Sequence, residues 1–167
     1  MSPRTPPSEL IVLGIDPGLG RTGYGVVRLA DGSLSLKTCG TIETPARQPV
    51  GQRLATLHRN LHDLMTKHRP DRMAVEQLFF STNVKTAMVV SQARGVVMLA
   101  AAEHRLPIQE FSPLTVKQSV TGYGQANKRQ VQRMLQLLFK LDRPPHPDDA
   151  ADAVAVAVCG TRPGRYD

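Results

Sequence analysis

Apolar runs broken by turn residues open the chain, and from about residue 50 apolar positions recur three and four apart. Residues 10–15 are continuously apolar until Asp16-Pro17-Gly18, which reads as a buried strand. Further strands are predicted over 22–29 and 33–43. Asp31-Gly32 between them is a two-residue sequence suited to a tight hairpin. Val50, Leu54, Leu57, Leu61, Leu64 and Met65 then share one helical face, with Arg53, Arg59, His62 and Lys67 opposite and Pro70 as the stop. Residues 72–76 return to strand.

The segment 83–104 has the length of a helix but is apolar on most sides, so it needs cover on two faces. One face is expected on the sheet. The other meets either a second copy of the chain, which Gly95 would let approach closely, or the rest of the same domain. Residues 107–111 suit a last strand and 112–120 a short helix, followed by the glycine-bearing loop Thr121-Gly-Tyr-Gly-Gln125. Asn127 is placed to cap an amphipathic helix with Val131, Met134, Leu135 and Leu138 inside and Lys128, Arg129, Arg133 and Gln136 outside. Residues 148–159 are ambiguous, because Ala153 to Val158 alternate like a strand. Pro147, the acids of the first turn and a stripe of Ala150, Ala153, Val154, Ala157 and Val158 favour helix. The resulting order, βββαβαβ and then helices, is an α/β fold. Its mixed five-stranded sheet has three antiparallel strands first and parallel strands after.

At 167 residues the chain suits one domain, expected over 10–162 between a Pro-rich disordered leader (1–9) and a short tail (163–167). Cys39 and Cys159 lack metal-type spacing and read as reduced thiols of a cytoplasmic protein. No apolar stretch is long enough for a membrane span. The formal charge of +7 points to a polyanionic partner, and nucleic acid fits best. The absence of Trp argues against a base-stacking single-strand binder.

Against that basic background four acids stand out. Asp16 and Glu76 each end an apolar strand, where parallel sheets build their sites, and Asp149 and Asp152 open the final helix. On a helix, residues three apart lie about 5–6 Å from each other on one face. Asp148, four before Asp152, fits that geometry equally. Like charges about 5 Å apart cost roughly 3 kcal/mol per pair at an effective dielectric near 20, so a converging set must take up protons or cations. Oxygen-only ligands suit Mg²⁺ or Mn²⁺, and two such ions about 3.5–4 Å apart are suited to phosphodiester hydrolysis. Each acid alone could instead serve a helix dipole or an ion pair.

Four motifs together resemble the RuvC family of crossover junction endodeoxyribonucleases. They are Gly14-Ile-Asp-Pro-Gly-Leu-Gly-Arg-Thr-Gly-Tyr-Gly25, Val75-Glu-Gln-Leu-Phe79, Ser91-Gln-Ala-Arg-Gly95 and Asp149-Ala-Ala-Asp-Ala153. The resemblance runs from about residue 10 to 160. It implies a ribonuclease-H-like fold and a homodimer that resolves Holliday junctions by paired, metal-dependent nicks leaving 5′-phosphate and 3′-hydroxyl ends. It also implies a branch-migration complex, RuvA and RuvB, as partner. Asp16, Glu76, Asp149 and Asp152 match the family's ligands for two Mg²⁺ ions, and register with the following Ala-Ala-Asp favours Asp149 over Asp148. Phe79 matches an aromatic set against junction bases, and Lys117 and Lys128 match lysines near the scissile phosphate. Gly122 and Gly124 would let the loop bearing Tyr123 lie close to DNA, with Arg129 beside it.

Two rival classes remain. Actin-like ATPases share Gly-x-Asp-x-Gly but need two such domains, and this chain has one copy. An architectural DNA-binding protein would explain the charge and leave four acids unused.

Overall fold

The computed structural model describes residues 9–77 and 84–162. Five strands and five helices follow one another as β1 (Glu9–Asp16), β2 (Arg21–Ala30), β3 (Ser33–Glu43), α1 (Val50–His68), β4 (Arg72–Glu76), α2 (Val84–Glu103), β5 (Ile108–Phe111), α3 (Pro113–Thr121), α4 (Lys128–Leu138) and α5 (Asp148–Gly160). The sheet order is β3-β2-β1-β4-β5. β1 pairs antiparallel with β2 and parallel with β4, so it is the central strand. Glu9 already belongs to β1, one residue inside the segment expected as leader, and its carboxylate pairs with Arg28 at 2.6 Å.

The mixed sheet expected from the sequence is present, and local chemistry explains its turns. Asp31 and Gly32 both take the left-handed conformation, with φ of 50° and 74°, which matches the right-handed twist of the flanking strands. The Asp16-Pro17-Gly18 turn is pinned by buried Thr22, whose hydroxyl donates to the Gly18 carbonyl at 2.6 Å. Ser112 caps α3 by accepting from the Thr115 amide, and Asn127 with Gln130 forms a reciprocal capping box on α4.

Side chains alternate across β1 and feed two cores. Leu10 and Val12 face a core shared with α3, α4 and α5. Leu13 and Ile15 face the opposite core, with Leu57, Leu61 and Met65 of α1 and Ala93, Val97 and Ala100 of α2. α5 resolves the ambiguity of its sequence in favour of helix. Every residue from Ala153 to Gly160 is buried, so both its stripe and its back are apolar and no helical period survives.

α5 lies unusually near the sheet because glycines floor its path. A Cβ added to Gly14 would fall 2.1 Å from the Ala153 carbonyl oxygen, and one on Gly23 would fall 2.0 Å from that of Asp149. Gly14 is paired with Gly25, and Gly23 with Asp16, so the track crosses β1 and β2 on one face.

One expectation about packing needs correction. In α4 only Val131 and Leu135 are buried, whereas Met134 and Leu138 are 37% and 39% exposed. This helix is covered on one side only, by α3 and α5. On α2 the second apolar face, expected to meet either a second copy or the rest of the domain, is left bare by the described residues: Met88, Val89, Met98 and Leu99 are exposed, and no described residue lies within 4 Å of a Cβ added to Gly95.

Gly14→Ala should destabilise the fold by about 3 kcal/mol or more, since backbone rather than a side-chain tip must yield. Gly51→Ala, in open space on α1, should be neutral or stabilising by up to about 1 kcal/mol. Urea unfolding of both variants checks this, and equal midpoints would disprove the close approach.

Candidate metal centre

Adjacent parallel strands deliver the first two acids. Ile15 of β1 is in register with Val75 of β4, so Asp16 and Glu76 leave the sheet side by side at its carboxyl edge. Asp16 is on the same face as Gly14, the face on which α5 lies, and the first turns of α5 supply Asp149 and Asp152. One carboxylate oxygen each from Asp16, Asp149 and Asp152 lies within 4.8 Å of the others.

A cavity of about 270 Å³ adjoins this triad. Asp16, Glu76 and Asp152 line it together with Lys117 of α3 and Lys128 of α4. Asp16 and Asp152 therefore belong both to the tight triad and to the wider cavity that Glu76 enters. Asp148 is outside the triad. It accepts from the Gln132 amide at 3.0 Å and pairs with Lys128 at 3.3 Å.

The electrostatics fit a cation site. Burial pushes the Asp16 carboxyl up from 3.8 to about 7, helped by the charges of Asp152, Glu76 and Asp149 and opposed by Lys128. Burial also raises Glu76, with Asp152 acting the same way and Lys117 opposing. Burial alone would lower Lys128, but its 3.0 Å hydrogen bond to Asp152, with the negative charges of Asp152 and Asp148, raises it instead. The donor set is all carboxylate oxygen and half-buried, and burial and mutual repulsion hold Asp16 and Glu76 up despite the lysines at the rim. That chemistry matches hard divalent cations such as Mg²⁺ or Mn²⁺.

Other predicted residues lie apart from this cavity or outside the described chain. Phe79 falls outside the described residues. Tyr123 and Arg129 line a separate hollow of about 520 Å³ with Thr121, Asn127, Arg133 and Met134, and Tyr123 is 58% exposed. Two arginines went unassigned at the sequence level. Arg21 reaches Asp149 at 3.4 Å and Glu43 at 3.1 Å, and Arg94 donates to the backbone carbonyl of Glu76 at 3.0 Å. Both lie inside motifs already singled out, which was the available signal.

Acids from the ends of two adjacent strands, faced by acids of a helix laid across a β3-β2-β1-β4-β5 sheet, form a candidate metal site on a ribonuclease-H-like fold, the fold of a class of nucleases. The sequence pattern of a family described as "Crossover junction endodeoxyribonuclease RuvC" matches residues 12–160, and the chain belongs to that family. It is 48% identical over 157 residues to a protein of that name from Alkaliphilus metalliredigens, covering 94% of this chain and 96% of that one. With the Moorella thermoacetica protein of the same name it shares 50% over 150 residues, covering 90% of each. Among solved structures it is similar to Thermus thermophilus RuvC in complex with Holliday junction substrate. The TM-score is 0.86 and the identity 32%, over 91% of this chain and 93% of that one.

The Asp16 shift has a definite sign for stability. A carboxyl whose pKa is raised on folding holds its proton longer in the folded state. The contribution of this group to stability is therefore most favourable below 3.8 and falls as pH rises towards about 7. Metal-free protein should lose about 2–4 kcal/mol over that interval from this group. Asp16→Asn should be the more stable protein near pH 8 without metal, with the gap narrowing towards pH 4. Thermal unfolding across pH in EDTA measures this, and a pH-independent difference would contradict it.

Proposed function

We propose that the protein resolves four-way DNA junctions as a homodimer, cutting two strands of like polarity and leaving 5′-phosphate and 3′-hydroxyl ends. The observation that carries the reading is the convergence of Asp16, Asp149 and Asp152 beside a cavity shared with Glu76, Lys117 and Lys128. The likeness to a Thermus thermophilus protein solved on a Holliday junction supports the choice of substrate.

Asp16, Glu76, Asp149 and Asp152 would hold two divalent cations, Mg²⁺ or Mn²⁺. When bound, such ions supply an activated water and charge stabilisation of the departing 3′ oxygen. The chain's own part is positioning. Half-burial keeps the acids short of solvent, so the site favours cations over bulk water as partner. Lys128, from the first residue of α4, and Lys117, from α3, offer ammonium groups at the cavity where a phosphate would rest. Tyr123 and Arg129, at the neighbouring hollow, extend this surface for the DNA backbone, and Phe79 would serve the junction bases. The net charge of +7 gives the sequence-independent affinity.

The uncovered face of α2 supports the dimer. Met88, Val89, Met98 and Leu99 form an apolar surface beside open Gly95, suited to a second copy of the same helix. Two copies present two acidic sites to two symmetric strands. A branch-migration complex of RuvA and RuvB, acting in the cytoplasm, would deliver the junction. Among the described residues no helix is long and apolar enough to cross a membrane.

Asp16→Asn should reduce junction cleavage in Mg²⁺ by at least about a thousandfold while leaving junction affinity in EDTA within about twofold of wild type. Cleavage at the wild-type rate would remove Asp16 from the chemistry. Wild-type protein should sediment as a dimer at micromolar concentration, and Leu99→Glu as a monomer that no longer makes paired nicks. A monomeric wild type would rule out the dimer.

A further inference from the structure

Arg94 is a cation beside the metal centre with two partners and no part in the chemistry described so far. Its side chain is only 13% exposed, on a helix whose outer face is apolar. Its Nη1 donates to the Glu76 carbonyl oxygen at 3.0 Å, and its Nη2 pairs with the Glu110 carboxylate at 2.6 Å. Glu110 is on β5 in register with Val75, the residue preceding Glu76. One guanidinium thus joins α2 to the ends of both parallel strands.

That placement matters because Glu76 is the last residue of β4. Beyond it the Gln77 amide donates to the Phe111 carbonyl at 2.8 Å. A carboxylate on the final strand residue is aimed by its own peptide plane. Arg94 holds that plane by its oxygen while the Glu76 side chain lines the cavity, which Arg94 itself does not line. Two prongs at fixed angle are needed to hold a carbonyl and a carboxylate at once, which a lysine ammonium does less well.

We propose that Arg94 is a positioning residue for Glu76, with Glu110 orienting its guanidinium, and that together they set the cation affinity of the site. The inference rests on the metal-dependent nuclease reading. It also ties the site to α2, so the helix that carries the uncovered apolar face is the same rigid element that aims a ligand.

The test uses the full-length protein with Arg94→Met, Arg94→Lys and Glu110→Gln. Mn²⁺ binding is read by calorimetry, and junction cleavage is measured as a function of Mn²⁺. Arg94→Met should raise the half-saturating Mn²⁺ about 10–100-fold, as loss of a group that orients a metal ligand does. Saturating Mn²⁺ should restore most of the rate, and junction affinity in EDTA should be unchanged. Arg94→Lys should recover part of the loss, and Glu110→Gln should shift binding in the same direction by less. If Arg94→Met does not fold, the other two variants decide. Wild-type half-saturation in the folded variants, or a rate loss that Mn²⁺ cannot restore, overturns the proposal. A wild type that binds no Mn²⁺ overturns the metal reading and this inference with it. Wild-type binding with unshifted variants overturns this inference alone.

Discussion

The structure depends on how closely α5 can lie against β1 and β2. Carboxylates repel one another, and nothing in Asp16, Asp149 or Asp152 themselves draws them within 4.8 Å. The attraction is elsewhere on the same helix, in the buried Ala and Val residues from 154 to 158, which form one core with Val12, Val27 and Ala74. Gly14, Gly23 and Gly25 remove the side chains that would otherwise hold the helix off. Apolar packing along the helix thus forces acidic convergence at its start. The electrostatic cost is local and the packing gain is spread along the helix.

The cations around the acids divide into two kinds. Lys117 and Lys128 face the cavity and are free to exchange one anion for another, because their partners are half-exposed or reached through charge alone. Arg21 and Arg94 act at its margins, one against the Asp149 carboxylate and one against the Glu76 backbone. The first kind suits a substrate that comes and goes. The second suits a site whose ligands must keep their places between turnovers.

Much of this architecture was legible in the chain because local signals and tertiary demands agreed. The Asp31-Gly32 hairpin, the capping box at Asn127 and the acids at two strand ends all follow from short-range chemistry. The site acids needed one more element, the identification of α5 as a helix. Its Ala-Val alternation suited strand equally well, because a helix buried all round shows no period. Asp148 and Asp149 could not be separated by spacing. The contacts that separate them, Gln132 and Lys128 to Asp148 and Arg21 to Asp149, come from other elements. Met134 and Leu138 misled for the opposite reason: periodicity tells which residues share a face, not whether anything covers it. Arg21 and Arg94 were hidden because their partners are 128 and 18 residues away.

The order of elements has a consequence for synthesis. α5 follows all five strands in the chain, yet it packs against β1 and β2, the first two to leave the ribosome. At about 5–20 residues per second, the strands of a nascent chain wait several seconds for α5 to be made. During those seconds Asp16 stands without Asp149 and Asp152. The three carboxylates therefore come together only once the last helix has been made and the fold has closed.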